Sequence, residues 1–488
     1  MSKKMFNNDL EIFNYINGLN SRGIYIYLEN DTLKYRSMLA LKQNELKELK
    51  LYKKQLIEFL KLRKENTVPL SPLQLAYMIG QTENYILNKV NAHYYIEYTK
   101  DNIDIKRLED ALNSLIIKNE ALRLIILSSG EGLILNKVPR YNIKSYSIKK
   151  DSDRYRIREN LSKKRYSYDS WPMFTFQVGK SDNQNDVLHF SFDCSILDAW
   201  SAGALIKKLF DLYKGKSIKT SSITYKSYLK LSESYKKEDN IEKLLKKADE
   251  YWTKKAKENI EPPKLIDNSK LKYLKKSDFS RKRFILSEDV TNSLIKFSKD
   301  FKIMLSALMI ALYMNALSKI SKNKNFAVNM TMFGKLPVAN NVGDLIGEFT
   351  NIGLIINEYK SESFLDYIKK IQKQILKLIE YRAYDGSNII KKSIDNNLKN
   401  NIGFPVVVTC MLSEEYKDVT NGFKEIYSIS QTPQVYLDHH IRKIDSKIVL
   451  SFDYIDELIN DNLIEKMIEN YRELLNKILI IRENINEK

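Results

Sequence analysis

The sequence predicts a mixed α/β protein made of two lobes of comparable build. From Val68 to the C-terminus, helical and strand-like patterns of apolar residues alternate, and the second half repeats the style of the first. This alternation favours an α/β architecture. Of the 488 residues, 43% are apolar, which is enough for at least one large core. Only 15 Gly and 9 Pro occur, so long flexible linkers and broad disorder are not expected.

The first 65 residues carry a smaller pattern of their own. It predicts, in order, a helix over 8–19, strands over 24–28 and 32–36, and a second helix over 41–64. Apolar residues near helical spacing indicate the helices, and the strands flank a polar turn of hairpin length. So short a unit buries little surface alone. The pattern fits a docking unit for a partner protein and a cap on the larger domain equally well.

The remaining elements follow from the spacing of apolar residues. In the first half, the pattern predicts strands over 93–99 and 186–193 and helices over 105–119, 201–213 and 240–257. In the second half, it predicts strands over 280–287, 326–333, 404–410 and 447–455, and helices over 288–299, 303–320, 363–380 and 461–479. The charge-free run Ile303–Leu317 is shorter than the roughly 20 residues of a membrane span. It therefore predicts a buried helix.

Composition excludes several classes of protein. Two cysteines, Cys194 and Cys410, exclude a disulfide framework and a cysteine-rich zinc module, and they suit a reducing cytoplasm, the predicted location. The N-terminal residues lack the apolar core of a signal peptide, and no membrane partner is expected. The net charge of +19 does not predict nucleic-acid binding, because Lys and Arg are interleaved with Asp and Glu as on solvated helices. Acidic protein partners are the milder expectation.

Most catalytic motifs are missing from the sequence. It contains no GxxxxGK[ST] phosphate loop, no strand-linked GxGxxG and no GxSxG nucleophile elbow. His439 and His440 are adjacent, but neighbouring side chains on a strand point to opposite faces. No third ligand accompanies them, so no metal site is predicted.

One polar group of residues lies where a predicted strand ends and a helix begins. It consists of Asp193, Asp198 and Ser201. A carboxylate at such a junction caps the helix or pairs with an arginine across a core. We therefore favour a structural role for the two aspartates over a catalytic one.

A second polar group lies in residues 428–441, a run with the pattern of a strand. Its polar members are Gln431, Thr432, Gln434 and Asp438. Because buried polar side chains are costly without partners, the run indicates either a polar-lined cleft or an exposed edge strand.

These residues carry a family resemblance. Residues 193–201 fit DxxxxDxxS, which resembles the signature of heterocyclization domains of nonribosomal peptide synthetases. Ordinary condensation domains of those synthetases have HHxxxDG at this place; here Asp193 replaces the first histidine and Cys194 the catalytic second one. Other segments resemble the family in order and spacing, namely VPLSPLQLAYMIG (68–80), LEDALNSLIIKNEALR (108–123), WPMF (171–174), YWTKKAKENIEPPKL (251–265), NMTMFGKLP (329–337), VGDLIGEFTN (342–351), FPVVVTC (404–410) and SQTPQVYLDHH (430–440).

The resemblance implies a fold and a domain organisation. The fold is two-lobed and like chloramphenicol acetyltransferase, with the active site in a tunnel between the lobes. Residues 17–37 are similar to the α-β-β-α docking domains of hybrid synthetase subunits, which capture the tail of the preceding subunit beside a hairpin strand. The implied domains are 1–65 for docking, 66–235 for the N-terminal lobe and 236–488 for the C-terminal lobe.

The resemblance also implies the reaction and its residues. Family members join a carrier-bound acyl group to carrier-bound Cys, Ser or Thr, and then cyclodehydrate the amide to a thiazoline or oxazoline. Asp438 and Thr409 occupy the positions of the proton-transferring catalytic pair. Gln431 and Gln434 are the substrate-positioning candidates, and the motif residues with a structural role are Asp193, Asp198 and Ser201.

Partners and alternatives follow from the same resemblance. No adenylation or carrier domain fits in the chain, so the expected partners are an upstream donor and a downstream acceptor carrier protein, with the upstream subunit bound through residues 1–65. No cofactor is expected to bind intrinsically, because the substrates arrive on the phosphopantetheine of the carriers. The alternative functions are condensation without ring closure, giving an amide or ester, and a non-catalytic docking platform.

The sequence departs from the family at a few positions. The family's LFNR segment reads Met332-Phe333-Gly334-Lys335, so an amide side chain is missing. Thr409 is flanked by Val408 and Cys410 where phenylalanine and serine are usual. The aspartate of GDFT has become Glu348, which keeps the charge. The change at Gly334 is expected to affect substrate positioning and the rate of dehydration.

Overall fold

The computed structural model describes residues 5–38, 40–81, 87, 90–182, 184–258, 260–274, 277–358, 363–395, 403–416 and 422–486. They form two compact units, each assembled from separate stretches of the chain. The first unit holds Met1–Ser71, Thr99–Leu231 and Ala339–Glu348, and the second holds Pro72–Tyr98, Ser232–Val338 and Phe349–Lys488. The domain bounds expected after residues 65 and 235 stay a prediction.

Helices and strands alternate along both halves of the chain. Up to residue 236 they are α1 (Asp9–Asn20), β1 (Ile24–Glu29), β2 (Thr32–Ser37), α2 (Gln43–Leu51), α3 (Lys53–Asn66), β3 (Thr67–Pro69), α4 (Pro72–Gly80), β4 (His93–Lys100), α5 (Ile105–Lys118), β5 (Leu124–Ile126), β6 (Glu131–Ile134), β7 (Lys144–Ser147), α6 (Asp151–Ser162), β8 (Phe174–Lys180), β9 (Asp186–Asp193), α7 (Ala199–Tyr213) and α8 (Tyr225–Lys236). The later elements are α9 (Asp239–Ala256), β10 (Phe279–Ile285), α10 (Glu288–Asp300), α11 (Leu305–Ile320), β11 (Phe326–Phe333), β12 (Thr350–Asn357), α12 (Phe364–Glu380), α13 (Gly386–Asp395), β13 (Val406–Tyr416), β14 (Lys424–Gln431), β15 (Leu437–Ile444), β16 (Lys447–Ile455) and α14 (Asp461–Asn486).

The N-terminal segment is a helix, a hairpin and two further helices. β1 and β2 pair antiparallel along their full length. Asn30 and Asp31 both have positive φ, 48° and 61°, which a two-residue type I′ hairpin turn requires and these residue types tolerate. The single helix predicted over 41–64 is in fact α2 followed by α3, because Tyr52 between them has φ −92° and ψ 3°.

The N-terminal segment shares a hydrophobic core with strands that follow it. Buried apolar residues of α1, β1, α2 and α3 cluster with four side chains from the region of β5 and β6, namely Ile125, Leu127, Leu133 and Leu135. Asp9 at the start of α1 is buried, and its carboxylate accepts N–H bonds from Asn136 (2.7 Å) and Lys137 (3.0 Å). The segment is therefore packed against the rest of the first unit.

The second unit is organised around a six-stranded sheet of order β10-β16-β15-β13-β11-β12. Its pairs are antiparallel except those that β13 makes with β11 and β15. The run 428–441 is two strands, because β14 ends at Gln431 and β15 begins at Leu437. The edge-strand interpretation of this run is wrong for β15, which has a neighbouring strand on each side.

Helices α11 and α14 pack on one face of this sheet. The Tyr471 hydroxyl of α14 donates to the Met309 carbonyl of α11 at 3.0 Å. His439 of β15 points to the same side, where its ring stacks on Phe452 at 4.2 Å and lies 4.4 Å from Tyr313 of α11. The opposite face of the sheet carries polar side chains beside apolar ones such as Val407 and Val449.

The buried helix predicted over 303–320 is α11. Every residue from Ala307 to Met314 is buried in protein. Among the described residues, no single helix has the length and hydropathy to cross a membrane. α10 and α11 have the length and hydropathy of a membrane span only when they are taken together, and the two helices are bent by 109° at their junction.

Candidate active site

The polar face of the six-stranded sheet brings the predicted catalytic residues together. Asp438 lies opposite Val407 on β13 and opposite Asp453 on β16. His440, two residues further along β15, lies opposite Thr409 on β13. Because side chains two apart on a strand, and directly paired residues on adjacent strands, share a face, Asp438, His440, Asp453 and Thr409 all project to one side.

Asp438 has one carboxylate oxygen in an ion pair and one oxygen without a partner among the described residues. It is buried, with 5% of its surface exposed, and Oδ2 lies 3.1 Å from Nε2 of His440. Within the described part of the chain, its Oδ1 has no hydrogen-bond partner. A buried carboxylate oxygen without a partner is costly, which marks this atom as one that a substrate would satisfy.

Thr409 is the hydroxyl neighbour of this carboxylate. It is buried, and its Oγ1 donates to Oγ1 of Thr331 on β11 at 3.1 Å. The register places Thr331 opposite Thr409, so the two hydroxyls lie side by side on the polar face. The arrangement offers a second exchangeable proton diagonal to Asp438.

A buried charge network supports Asp438 from β10, β14 and β16. Nε2 of His440 also lies 3.3 Å from Oδ2 of Asp453. Asp453 receives two hydrogen bonds from the Arg281 guanidinium and one from the backbone N–H of Ser430 at 3.0 Å. Burial alone would raise the pKa of Asp453, but Arg281 lowers it below its usual value. Asp453 is thus a fixed anion.

A second buried carboxylate, Glu425 of β14, lies in the same network. It pairs with Arg442 at 2.7 Å and with Arg283 at 2.6 Å. Burial would raise the pKa of Glu425, but these two cations outweigh it and lower the pKa to about 2. Burial would likewise raise the pKa of the Tyr94 hydroxyl, but Arg442 and Arg281 lower it. The polar face therefore combines fixed anions and cations around Asp438.

Sequence reasoning missed most of this network. Its members are Arg281, Arg283, Glu425, His440, Arg442 and Asp453. A signal was present in β15, where Asp438, His440 and Arg442 recur at a spacing of two in a buried strand. Such a period marks one polar face of a sheet whose other face is apolar.

The positioning candidates lie between β14 and β15. Gln431 is the last residue of β14. Gln434 has φ 61°, and its side-chain amide donates to the Leu87 carbonyl at 3.4 Å. The left-handed backbone at Gln434 makes the turn that separates the two strands. Both residues belong to the same unit as Asp438, and their part in substrate binding stays a prediction.

The residues of the DxxxxDxxS segment belong to the first unit. Asp198 is the N-cap of α7, and its Oδ1 accepts the backbone N–H of Ser201 at 2.6 Å. The Ser201 hydroxyl accepts the N–H of Gly347 at 3.2 Å, while the Asp198 N–H donates to the Gly347 carbonyl at 3.1 Å. These bonds tie the start of α7 to a neighbouring loop, which fits a structural role.

Asp193 is fully buried at the end of β9. Its Oδ1 accepts the N–H of Ser195 at 2.9 Å, and its Oδ2 has no hydrogen-bond partner among the described residues. Burial raises the pKa of Asp193 to about 6. The role of Asp193 as a structural residue stays a prediction.

Gly334 occupies a tight position after β11. A Cβ at this residue would lie 3.3 Å from the Asn351 Cβ and 3.3 Å from the Phe349 carbonyl oxygen. Asn351 does not replace the missing amide, because its side chain binds the carbonyls of Arg382 (3.0 Å) and Tyr384 (2.8 Å). Gly334 therefore lacks the side chain that the family has at this position, and the neighbouring atoms leave little room for one.

The described residues contain no set of side chains suited to bind a metal ion. Within the described ranges, no group of three His, Cys, Asp or Glu side chains could hold a metal ion. His439 and His440 point to opposite faces of β15, as the sequence predicts, and burial lowers the pKa of His439 to about 3.

Comparison with known proteins assigns the family. A sequence model of the condensation domain matches residues 64–481. The chain belongs to the condensation-domain family. Such domains of nonribosomal peptide synthetases are acyl or peptidyl transferases that work with donor and acceptor substrates held on carrier-protein phosphopantetheine. The chain is thus a condensation- or cyclization-type domain of that enzyme class.

Three larger proteins are among its relatives. Bacitracin synthase 1 of Bacillus licheniformis is 26% identical over 424 residues, which cover 84% of this chain and 8% of the relative. Pyochelin synthetase PchE of Pseudomonas aeruginosa is 22% identical over 424 residues, with coverages of 84% and 29%. Phenyloxazoline synthase MbtB of Mycobacterium tuberculosis is 22% identical over 413 residues, with coverages of 82% and 29%. The chain thus spans less than a third of each relative.

Solved structures confirm the predicted fold. The cyclization-docking bidomain of EpoB from Sorangium cellulosum matches with a TM-score of 0.76 at 23% identity, covering 96% of this chain and 98% of that one. The synthetase FmoA3 matches with a TM-score of 0.73 at 20% identity, covering 85% of this chain and 42% of the other. The first match includes the N-terminal segment, so the predicted α/β condensation-domain fold with a small segment in front of it is confirmed.

Proposed function

We propose that this condensation domain is a heterocyclization enzyme. It joins a carrier-bound acyl group to carrier-bound Cys, Ser or Thr and cyclodehydrates the product to a thiazoline or oxazoline. The observation that carries the proposal is the buried Asp438 carboxylate, whose Oδ1 lacks a partner among the described residues and whose face is shared with the Thr409 hydroxyl. The likeness to MbtB, a phenyloxazoline synthase, and to the EpoB cyclization-docking bidomain supports the same reaction class.

The first stage forms an amide. The amine of the acceptor residue attacks the donor thioester carbonyl, the C–S bond breaks, and the donor carrier leaves as a free thiol. In the second stage, the acceptor's own thiol or hydroxyl attacks the new amide carbonyl and closes a five-membered ring. The former carbonyl oxygen receives the nucleophile's proton and then the proton lost by the nitrogen; it leaves as water, and a C=N bond forms.

The second stage needs a group that takes and returns protons at one place. Asp438 supplies it: Oδ1 accepts the nucleophile's proton and later donates a proton to the departing oxygen. Thr409 lies diagonal to Asp438, and its hydroxyl turns from Thr331 to donate to the carbonyl oxygen during ring closure. Gln431 and Gln434 orient the acceptor from the end of β14 and the turn after it.

The proposed partners are proteins. An upstream donor carrier and a downstream acceptor carrier bring the substrates on phosphopantetheine, and residues 1–65 hold the upstream subunit. Exposed tyrosines on the hairpin provide apolar surface for such a contact, since Tyr25 is 54% exposed and Tyr35 is 48% exposed. A strand added beside the hairpin would use free backbone groups of β1 or β2.

An intact-mass assay tests the proposal against its rivals. The full chain is incubated with a donor carrier bearing an acyl thioester and an acceptor carrier bearing cysteine, serine or threonine. A heterocycle is lighter than the linear amide by one water, so the two products separate by mass. Formation of the lighter product supports heterocyclization. The linear amide alone would mean condensation without ring closure. If neither product forms with any of the three acceptors, the non-catalytic docking platform is the remaining function.

A further inference from the structure

His440 lies between two carboxylates on the polar face of the sheet. Its Nε2 is 3.1 Å from Oδ2 of Asp438 and 3.3 Å from Oδ2 of Asp453, which are ion-pair distances; among the described residues the ring is not aligned for a hydrogen bond to either oxygen. The imidazole is buried, with 6% of its side chain exposed. One ring nitrogen therefore faces an oxygen of each acid, away from bulk water.

The Asp453 side of this bridge is fixed independently of His440. Arg281 donates two hydrogen bonds to the carboxylate, and the Ser430 N–H donates a third. Asp453 and Asp438 are also directly paired across β15 and β16, so their separation is set by the sheet. His440 therefore connects a carboxylate that is held in place, Asp453, to the proposed proton-transferring carboxylate, Asp438.

We propose that His440 is a positioning residue, which holds Asp438 through Oδ2 and thereby leaves Oδ1 to the reacting groups. This role deepens the proposed function and rests on it, because it assigns the proton-shuttling atom to Oδ1. A cation between paired carboxylates offsets their mutual repulsion, which is strong in a buried site. It also fixes the rotation of the Asp438 side chain. Even a small misplacement of a catalytic group slows a reaction steeply.

The charge state of His440 follows from its neighbours. The titratable and charged groups around it are Asp438 and Arg442 on β15, Asp453 on β16, Arg281 on β10, Glu425 on β14, Tyr94 on β4, and His439 on the other side of its own strand. Burial by itself would lower the pKa of His440, but the two aspartates raise it to about 9. The imidazolium form is therefore present at neutral pH and is lost as the pH rises through 9.

The contact itself is testable without substrate. The chain has four histidines, so ring resonances of a histidine-labelled sample can be assigned by single substitutions and titrated by NMR. In the full-length protein, one ring is expected to titrate near pH 9. In Asp438→Asn, which keeps the shape and removes one anion, that midpoint should fall by at least about one pH unit. An unchanged midpoint would overturn the proposal.

The functional consequence is tested with His440→Gln, which keeps a neutral donor. We expect ring closure to slow by about 10- to 10²-fold at pH 7, while amide formation changes by less than about threefold. The ratio of wild-type to variant ring-closing rates should fall toward one as the pH passes 9, because the wild type then also lacks the cation. His189→Gln is the matched control, since His189 is a buried histidine of the other unit. A pH-independent rate ratio, or an unaltered ring-closing rate, would contradict the positioning role.

The two proposals fail in different ways. If the wild type closes no ring with any acceptor, the proposed function fails, and the NMR titration still decides whether His440 is held by Asp438. If the wild type closes rings and His440→Gln does so equally fast, only the positioning role fails. Should His440→Gln not fold, the titration in Asp438→Asn tests the positioning role on its own, with the same two outcomes.

Discussion

Asp438 and Asp453 face each other directly across the antiparallel pair of β15 and β16. Two buried carboxylates in such a pairing repel unless cations intervene, and Arg281 and His440 supply those cations. The two acids are nevertheless unequal. Asp453 receives three hydrogen bonds from Arg281 and Ser430, whereas Asp438 keeps a carboxylate oxygen that no described residue satisfies. The contacts of Asp453 fit a structural role, and the partnerless oxygen of Asp438 fits the proton transfer proposed for it.

Removing the charge of Asp453 should therefore destabilise the protein. Asp453→Asn leaves the buried Arg281 without its anion, and breaking a buried pair costs about 3–5 kcal/mol. Urea unfolding at pH 7 measures the loss. Asp445→Asn in the exposed turn between β15 and β16 is the matched control, and it should leave stability nearly unchanged. Equal stability of the two variants would show that the pair contributes nothing.

The same network predicts loss of stability in alkali. The pKa of His440 is raised to about 9, above its value of about 6.5 in the unfolded chain. A group with a raised pKa stabilises the fold fully below pH 6.5, and this contribution is lost as the pH rises through 9. Thermal unfolding of the wild type between pH 6.5 and 10 should show this decline. In His440→Gln the decline should be shallower, and identical curves would contradict it.

The raised pKa of Asp193 predicts a different dependence of stability on pH. Its pKa is raised by burial to about 6, so ionising it at neutral pH destabilises the folded protein. Asp193→Asn keeps the acceptor for the Ser195 N–H and should raise the melting temperature at pH 8, with little change at pH 4.5. The comparison by thermal unfolding at both values checks the sign. A stable variant with no activity would show that Asp193 takes part in the reaction, against its predicted structural role.

Asp198 should behave as a helix cap. Asp198→Ala removes the acceptor for the Ser201 N–H and should cost about 1 kcal/mol, whereas Asp198→Asn retains capping and should cost less. Chemical unfolding of the two variants gives the difference. If both unfold like the wild type but form no product, the residue is catalytic and the capping account of its role is wrong.

The N-terminal segment is expected to have a stabilising role and a binding role that can be separated. Removing residues 1–65 uncovers Ile125, Leu127, Leu133 and Leu135, so the melting temperature should fall. Tyr25→Ser changes an exposed hairpin residue and should leave stability unchanged while weakening capture of the upstream subunit. Calorimetry and pull-down of that subunit measure the two effects. A truncated chain that melts like the wild type would contradict the shared core.

The sequence predicts most long elements because their apolar spacing is local information. Asp438 and Thr409 are identified through a family resemblance, and the register places them on one face of the sheet. Which of the supporting charges pair with each other could not be predicted, since Arg281 and Asp453 are far apart in the chain and meet only when β10 pairs with β16. The break at Tyr52 is missed because apolar spacing continues across it. The split of run 428–441 had a signal, because Pro433 interrupts the run within a polar stretch.

The most direct measurement of the central claim is the product mass made by Asp438→Asn beside Asp445→Asn. Both variants exchange an aspartate for asparagine on the β15–β16 hairpin, one in the site and one in its exposed turn. We expect Asp445→Asn to give heterocycle at the wild-type rate. Asp438→Asn should accumulate the linear amide, one water heavier, with ring closure slowed by about 10²-fold or more. Heterocycle formation by Asp438→Asn at the wild-type rate would contradict the assignment of Asp438 as the proton shuttle.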